Sequence, residues 1–337
     1  MLELTGAQIL AHRRRVQALE TRLPPGADSL RRAASVGLQD SVPRSALHAL
    51  HARVADVGAD ALDDPSLAQV WGPRFTVYVV PAGEHLPFTL GRLPEAGRIR
   101  RRAEELADRL HRYLDGRSVP YAEASRALGV DPPNMLRYAA LTGGVLIRWE
   151  GARQPTIRSL PRSDVDPVTA RVDLVRRYLH AFGPASVEAF SRWGGVDVDA
   201  AATAFYALRA SLVAVRTPLG DAWMLADDEE AIREPVQATD AVRLLPSGDP
   251  YFLLWGADRD LLLPDAARRA ELWTSRVWPG AMLIAGAIAG TWRRAAREVV
   301  AKPWRVLAGW ERRAVEEEAA ALPLAAVNRP ISVRWTA

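Results

Sequence analysis

Three polar residues in a row, Gln39, Asp40 and Ser41, separate an apolar lead-in from an amphipathic segment in SVGLQDSVPRSALHALHARV, Ser35 to Val54. An amide, a carboxylate and a hydroxyl at this spacing admit two readings. Asp and Ser side chains accept hydrogen bonds from the open N–H groups of a helix start, and Pro43 suits a first helical turn, so the triplet can be a cap. A cap has no need of Gln39, and the second reading is the working part of an enzyme. The other chemistry-bearing residue types narrow what that enzyme does. Cys is absent, which removes thiolate nucleophiles, disulfides, iron–sulfur clusters and Cys-ligated zinc together. Of six His, only His48 and His51 are close in sequence, and no HExxH or facial carboxylate pattern accompanies them. Neither a metal nor a cofactor is therefore expected, and the two His are expected along one exposed or groove-facing side of a helix.

A chain of 337 residues that is 49% hydrophobic is long enough for two to four folded units with substantial cores. The start, MLELTGAQILAHRRR, places its basic cluster after a short apolar stretch, the reverse of a secretory signal, and no apolar run approaches the roughly 20 residues of a membrane span. A soluble cytoplasmic protein without a membrane partner is the expectation. Lys302 is the only lysine, and every other basic side chain is Arg, whose planar fork suits phosphate and base edges. With a net charge of only +4, the whole-chain signal for nucleic acid is weak. It is stronger in GTWRRAAREVVAKPWRVLAGWERR, where seven basic residues stand against two acidic ones with Trp interleaved; nucleic-acid contact and a solvated face both fit that stripe.

The elements that must carry the triplet are legible from an internal repeat with an offset of about 65 residues. Arg112-Tyr113-Leu114 matches Arg177-Tyr178-Leu179, Glu123-Ala124 matches Glu188-Ala189, and Gly129-Val130-Asp131 matches Gly195-Val196-Asp197. Each copy reads as a helix ending near Tyr-Leu, a short helix, a turn, a third helix and an alternating β segment with a Gly-containing turn. Asp131-Pro132-Pro133 is expected to cap the third helix of the first copy, and Asp197 or Asp199 that of the second. Three helices and a hairpin make a winged helix. The first 90 or so residues read as a diverged third copy, with helices over Thr5 to Leu23 and Pro43 to Val54 and a wing strand over Arg74 to Val80 turning at PAGEH. After Val242 the pattern changes to short β segments around a helical insert. The expected class is α+β: winged helices over 1–94, 95–165 and 166–238, then a β-barrel-like domain over 239–337. Such a scaffold favours DNA as its partner, with protein contacts as the alternative.

GLQDSVPRSALHALHARV, VWGPRFTVYVVPA, YLHAFGPASVEAFSRWGGV, LLPSGDPYFLLW and IAGAIAGTWRR, in that order, resemble the AlkZ-like winged-helix DNA glycosylases, the bacterial family that also contains the YcaQ-type crosslink glycosylases. The resemblance covers nearly the whole chain. It implies three winged helices and a C-terminal β-barrel around a basic concave surface, excising alkylated bases from duplex DNA as a monomer at the nucleoid. The family's signature, Gln-apolar-Gln or Gln-apolar-Asp, falls on the triplet. Gln39 matches its first position, Asp40 stands where the apolar residue belongs, and Ser41 replaces the second Gln or Asp.

Hydrolysis of an N-glycosidic bond needs a group that positions water and favours a cationic, sugar-like transition state, tasks at which Ser is weaker than a carboxylate or an amide. Asp40 can supply charge if the loop turns it inward, although adjacent extended residues point to opposite sides. Gln39, Asp40 and Ser41 are thus the expected catalytic set. A noncatalytic tandem winged-helix DNA-binding protein, a regulator or lesion binder, is the alternative. Arg44, Arg74, Asn134, Arg137, Arg216 and Leu219 are the expected DNA-facing residues: Arg74 on phosphate near the site, Asn134 and Arg137 on the central third helix, and Arg216 and Leu219 on a wing suited to minor-groove entry. Trp193 and Trp292 fit core packing. The lone Lys302, far in sequence from Gln39, implies a monofunctional enzyme that stops at the abasic site.

Overall fold

The structure, a computed structural model, describes residues 1–42, 44–149, 154–295, 298–324 and 331–336. The chain opens with β1 (Leu2–Glu3), α1 (Gly6–Val16), α2 (Ala27–Ala34), β2 (Leu38–Gln39), α3 (Ser45–Arg53), β3 (Leu67–Trp71) and β4 (Val77–Pro81). There follow α4 (Arg98–Leu114), β5 (Val119–Pro120), α5 (Tyr121–Ala127), a 3-10 run over Pro133–Thr142, β6 (Val145–Arg148) and β7 (Thr156–Ser159). Next come α6 (Pro167–Phe182), α7 (Val187–Gly194), α8 (Val198–Leu208), β8 (Leu212–Thr217), β9 (Gly220–Leu225) and α9 (Glu229–Arg233). The last part holds β10 (Val242–Leu245), α10 (Ala257–Leu262), α11 (Ala266–Leu272), β11 (Gly280–Ile284), β12 (Ala287–Ala295), β13 (Glu298–Pro303), α12 (Gly309–Ala320) and β14 (Ser332–Trp335). The protein is a mixed α+β structure.

The strands form three sheets, in the orders β2-β4-β3-β6-β7-β5, β1-β8-β9 and β10-β11-β12-β13-β14. The first joins the N-terminal and central parts through one backbone pair, Gln69↔Ile147. Buried Gln69 strengthens that seam by presenting its amide to Trp149 as a strand would: Oε1 accepts the Trp149 N–H and Nε2 donates to the Trp149 carbonyl at 3.3 Å.

The two copies run α4-β5-α5-3-10-β6-β7 and α6-α7-α8-β8-β9, the second without a strand in the place of β5. Several boundaries differ from expectation. The first helix ends at Val16 rather than Leu23, because Ala18 takes a left-handed backbone, φ 53°. The β3–β4 connection is 72–76, and PAGEH, whose Pro81 ends β4, leads away from the hairpin instead of turning it. Asp131 caps nothing: the third helix of the central part is a 3-10 run whose cap position is Pro132, without a side-chain bond, whereas Asp197 does cap α8 through the Asp199 N–H at 3.0 Å. The C-terminal strands form an open sheet rather than a barrel. Its end strands, β10 and β14, are not paired with each other among the described residues; α12 packs against both and buries Val315 and Ala319 on them.

The main core runs from the N-terminal helices through α6, α7 and α8 to the segment after β10, and includes Leu47, Val79, Tyr178, Trp193 and Phe252. Inside it lies a charged pair. Arg53 on α3 donates Nη1 to Asp249 Oδ2 at 2.7 Å and Nη2 to Asp249 Oδ1 at 2.8 Å, with side chains 1% and 0% exposed. Arg53 also reaches the Ala49 carbonyl and Gln17 Oε1, each at 3.0 Å, and Gln17 Nε2 donates to the Ala181 carbonyl at 3.0 Å. One bidentate pair thereby ties α1, α3 and α6 to the loop after β10. Removing one member strands a buried charge, so Asp249→Ala should lower unfolding free energy in urea by about 3–5 kcal/mol, while Arg53→Met combined with Asp249→Leu should recover most of that loss. A loss below about 1 kcal/mol, the range of an exposed pair, would refute the structural role.

Candidate active site

β2 pairs antiparallel with β4, Leu38↔Val79 and Gln39↔Tyr78, and the Asp40 N–H continues the ladder to the Val77 carbonyl at 2.8 Å. The triplet is therefore extended, and its side chains alternate. Asp40 is buried, 1% exposed; its Oδ1 accepts the Ala46 N–H at 3.0 Å and lies 3.4 Å from Ser45 Oγ. Burial pushes its carboxyl up to about 6, against the opposing pull of those hydrogen bonds and of Arg44. The cap chemistry of the triplet resides in Asp40, because Arg44, the residue at the α3 cap position, has a left-handed backbone and makes no side-chain cap bond. Pro43 lies outside the described residues.

Gln39 and Ser41 share the other side. Gln39 Nε2 donates to the exposed Ser41 Oγ, and Gln39 Oε1 accepts Arg74 Nη2 at 3.2 Å. Arg74 comes from the β3–β4 turn, where it and Phe75 take left-handed backbones, φ 56° and 57°. Its Nη1 donates to the Trp193 carbonyl at 2.8 Å, Nη2 also reaches the Tyr78 hydroxyl at 3.3 Å, and its Cζ lies 4.2 Å above the Trp255 ring. Tyr78 is fully buried, which pushes its phenol pKa up, so it meets the guanidinium as a neutral hydroxyl. The turn is anchored a second time by buried Arg92, which donates Nε to the Gly194 carbonyl at 2.8 Å and Nη1 to the Gly72 carbonyl; burial lowers its pKa to about 10, leaving it charged at neutral pH. Trp193 and Gly194 end α7, where open carbonyls and the helix dipole favour cations.

The loop after β10 closes the site. Gly248 has φ +75°, a conformation costly to other residues, and a Cβ there would stand 3.3 Å from Gln39 Nε2. Its neighbour Asp249 is the residue held by Arg53, so the buried ion pair sets the wall against which the Gln39 amide rests.

The structure thus brings together Gln39, Ser41 and Arg74; Arg137 meets the turn that carries Arg74, its Nη1 donating to the Phe75 carbonyl at 3.1 Å. Arg44 is turned to the Ala59 carbonyl. Asn134 is exposed on the central 3-10 run. Arg216 pairs with Asp221 at 2.5 Å on the β8–β9 hairpin, where Leu219 at the turn is 42% exposed. His48 and His51 correct the expectation of an exposed or groove-facing side: both are buried, His48 stacks at 6.2 Å on Trp292, and burial lowers their pKa values to about 3 and 4. Trp193 and Trp292 are core residues. Tyr78, Arg92, Gly248 and Trp255 were not singled out from sequence; the Gly-Asp of PSGD was the available turn signal. Among the described residues no group of three or more His, Asp or Glu is arranged to hold a metal, and no helix is long and apolar enough to cross a membrane.

The two sides of the triplet differ in their pH response. The unfolded chain ionises Asp40 near its ordinary 3.8, whereas the folded protein holds that proton to about 6, so the native state binds the extra proton between these values and loses stability as pH rises through them. Asp40→Asn keeps an acceptor for Ala46 without burying a charge. From pH 4 to 7, wild type should lose up to about 3 kcal/mol of stability relative to the Asn variant, followed by urea unfolding; parallel pH profiles would contradict this.

The description DNA glycosylase AlkZ-like matches residues 30–323. A solved structure, the Streptomyces sahachiroi DNA glycosylase AlkZ, superposes with a TM-score of 0.81 over 99% of this chain and 100% of that one, at 22% identity. An interstrand DNA cross-link repair glycosylase of Streptomyces sahachiroi is 29% identical over 162 residues, 46% of this chain and 42% of that protein, so the match spans about two fifths of that relative. The family match over most of the length, together with the shared fold, shows that the chain belongs to the AlkZ-like DNA glycosylase family.

Proposed function

We propose that this protein is a monofunctional DNA glycosylase that hydrolyses the N-glycosidic bond of purines alkylated at N3 or N7, bulky adducts included, in duplex DNA. The observation that carries this reading is the chemistry of the site face: an amide and a hydroxyl stand side by side, and among the described residues the hydrogen-bond partners of Gln39 and Arg74 include no carboxylate. Such a pair orients water without supplying acid or full negative charge. It is sufficient for a leaving group that departs without protonation, and N3- or N7-alkylated purines carry positive charge and leave in that way. Asp40 serves the fold, as the cap of α3, and the catalytic set reduces to Gln39 and Ser41.

The scaffold reading supports the DNA substrate. We infer winged helices over 1–94, 95–165 and 166–238 and a β-rich unit over 239–337, because the order helix, short strand or bridge, helix, helical turn, hairpin recurs. In the first unit these are α2, β2, α3, the 3-10 turn Ala61–Asp63 and β3–β4; in the third, the Ala185–Trp223 bridge stands where β2 and β5 stand in the others. Gln39 then sits where the short strand meets the second helix. Likeness to a cross-link repair glycosylase supports the inclusion of bulky adducts, and a cytoplasmic monomer acting at the nucleoid, in general repair or self-resistance, fits this reading. Lys302 supports a reaction that ends at the abasic site: it lies on β13 in the C-terminal sheet, its Nζ 2.8 Å from Glu271 on α11.

Purified protein should release 7-methylguanine or 3-methyladenine from duplex DNA, and Gln39→Ala should slow single-turnover release at least about tenfold, equivalent to about 1.4 kcal/mol. Wild type that binds DNA yet releases no base across a broad adduct panel would favour the noncatalytic lesion binder. Borohydride should trap no protein–DNA adduct during turnover, and strands should break only after alkali or heat; a trapped species lost in Lys302→Ala would refute the monofunctional assignment.

A further inference from the structure

We propose that Arg74 is a positioning residue, which holds the Gln39 carboxamide so that Ser41 becomes the group that takes the attacking water; this rests on the glycosylase reading of the site. A guanidinium has only donors, so the Gln39 edge facing it at 3.2 Å must be the oxygen. The opposite edge is then the NH2, and Ser41 Oγ, its partner, must accept. The chain of bonds therefore has one direction, from Arg74 through Gln39 to Ser41. It leaves Ser41, the exposed member, with its own hydrogen and one lone pair for water.

Arg74 is built for this task rather than for phosphate. Three of its N–H groups are engaged on the Trp193 carbonyl, Gln39 and Tyr78, and Trp255 covers the guanidinium at 4.2 Å. Only a bidentate fork reaches a carbonyl on α7 and an amide on β2 together, which a lysine ammonium does not reproduce. The left-handed backbone at φ 56° is a conformation an arginine adopts at a cost. Contacts from α7, β4 and the segment after β10 fix the side chain whatever that cost.

Arg74→Gly tests the proposal, because glycine tolerates the turn while the guanidinium is removed. With 7-methylguanine duplex and saturating enzyme, the single-turnover rate should fall at least about tenfold, while affinity for unmodified duplex changes less than about twofold and its salt slope is retained. Guanidinium ion added to Arg74→Gly should restore part of the rate, and Arg74→Lys should not. A normal maximal rate with weaker binding and a shallower salt slope would overturn the proposal in favour of a phosphate contact. A second readout is independent of activity: in protein with 15N-labelled glutamine, assigned with Gln39→Leu, the Gln39 side-chain amide pair should shift on Arg74→Gly without DNA, and an unmoved pair would overturn the proposal. Wild type that releases no base defeats the glycosylase reading, and the amide resonances then decide the positioning claim by themselves.

Discussion

The bidentate pair between Arg53 and Asp249 is the constraint on which the site depends. Two charges without solvent are stable together only when the geometry is nearly closed; here Gln17, the Ala49 carbonyl and the Tyr251 N–H add to the pair, and the buried Arg53 Nε alone of its nitrogens has no partner. Because Arg53 is on the helix that the triplet leads into, and Asp249 follows Gly248, the pair fixes the Gly248 loop relative to Gln39. The loop after β10 is about 200 residues away in sequence, and a flexible loop closure of that length has no local interaction to hold it. A desolvated ion pair supplies that hold with a specific geometry.

Around this frame the triplet divides its work by the two-residue period of an extended chain. One side faces the start of α3, where a carboxylate caps the helix and is driven toward neutrality by burial. The other faces the β3–β4 turn and the Gly248 loop, where the partners of Gln39 are a hydroxyl and a guanidinium. The opening ambiguity therefore separates by residue: Asp40 takes the cap, and Gln39 and Ser41 are left on the side of the proposed chemistry. Among the described residues, the hydrogen-bond partners of Gln39 and Arg74 on that side include no carboxylate.

The order of the elements was legible because a repeat displays its own periodicity twice, and the alternation of the triplet was legible because it follows from extended geometry alone. Other features have no local signal. Arg74 and Phe75 adopt left-handed backbones without a glycine to announce them, so the β3–β4 turn was placed on the far side of β4 at PAGEH, a segment with stronger turn composition. His48 and His51 sit on a helix whose every face is covered by another element, and polarity alone placed them outside. In the open C-terminal sheet α12 packs across β10 and β14, and its contact with β10 joins segments that are distant in sequence. Arg74 was recognisable as a candidate site residue, but its partners Trp193 and Trp255 are joined to it only by the fold.

The central claim is that the Gly248 loop acts on chemistry through Gln39. A double-mutant cycle of single-turnover base release with Gly248→Ala and Gln39→Ala tests it most directly. The added methyl should slow the wild-type background and leave Gln39→Ala unchanged, so that the double variant is no slower than Gln39→Ala alone. Multiplicative losses in the double variant would contradict the account, since the loop would then act independently of the amide it touches.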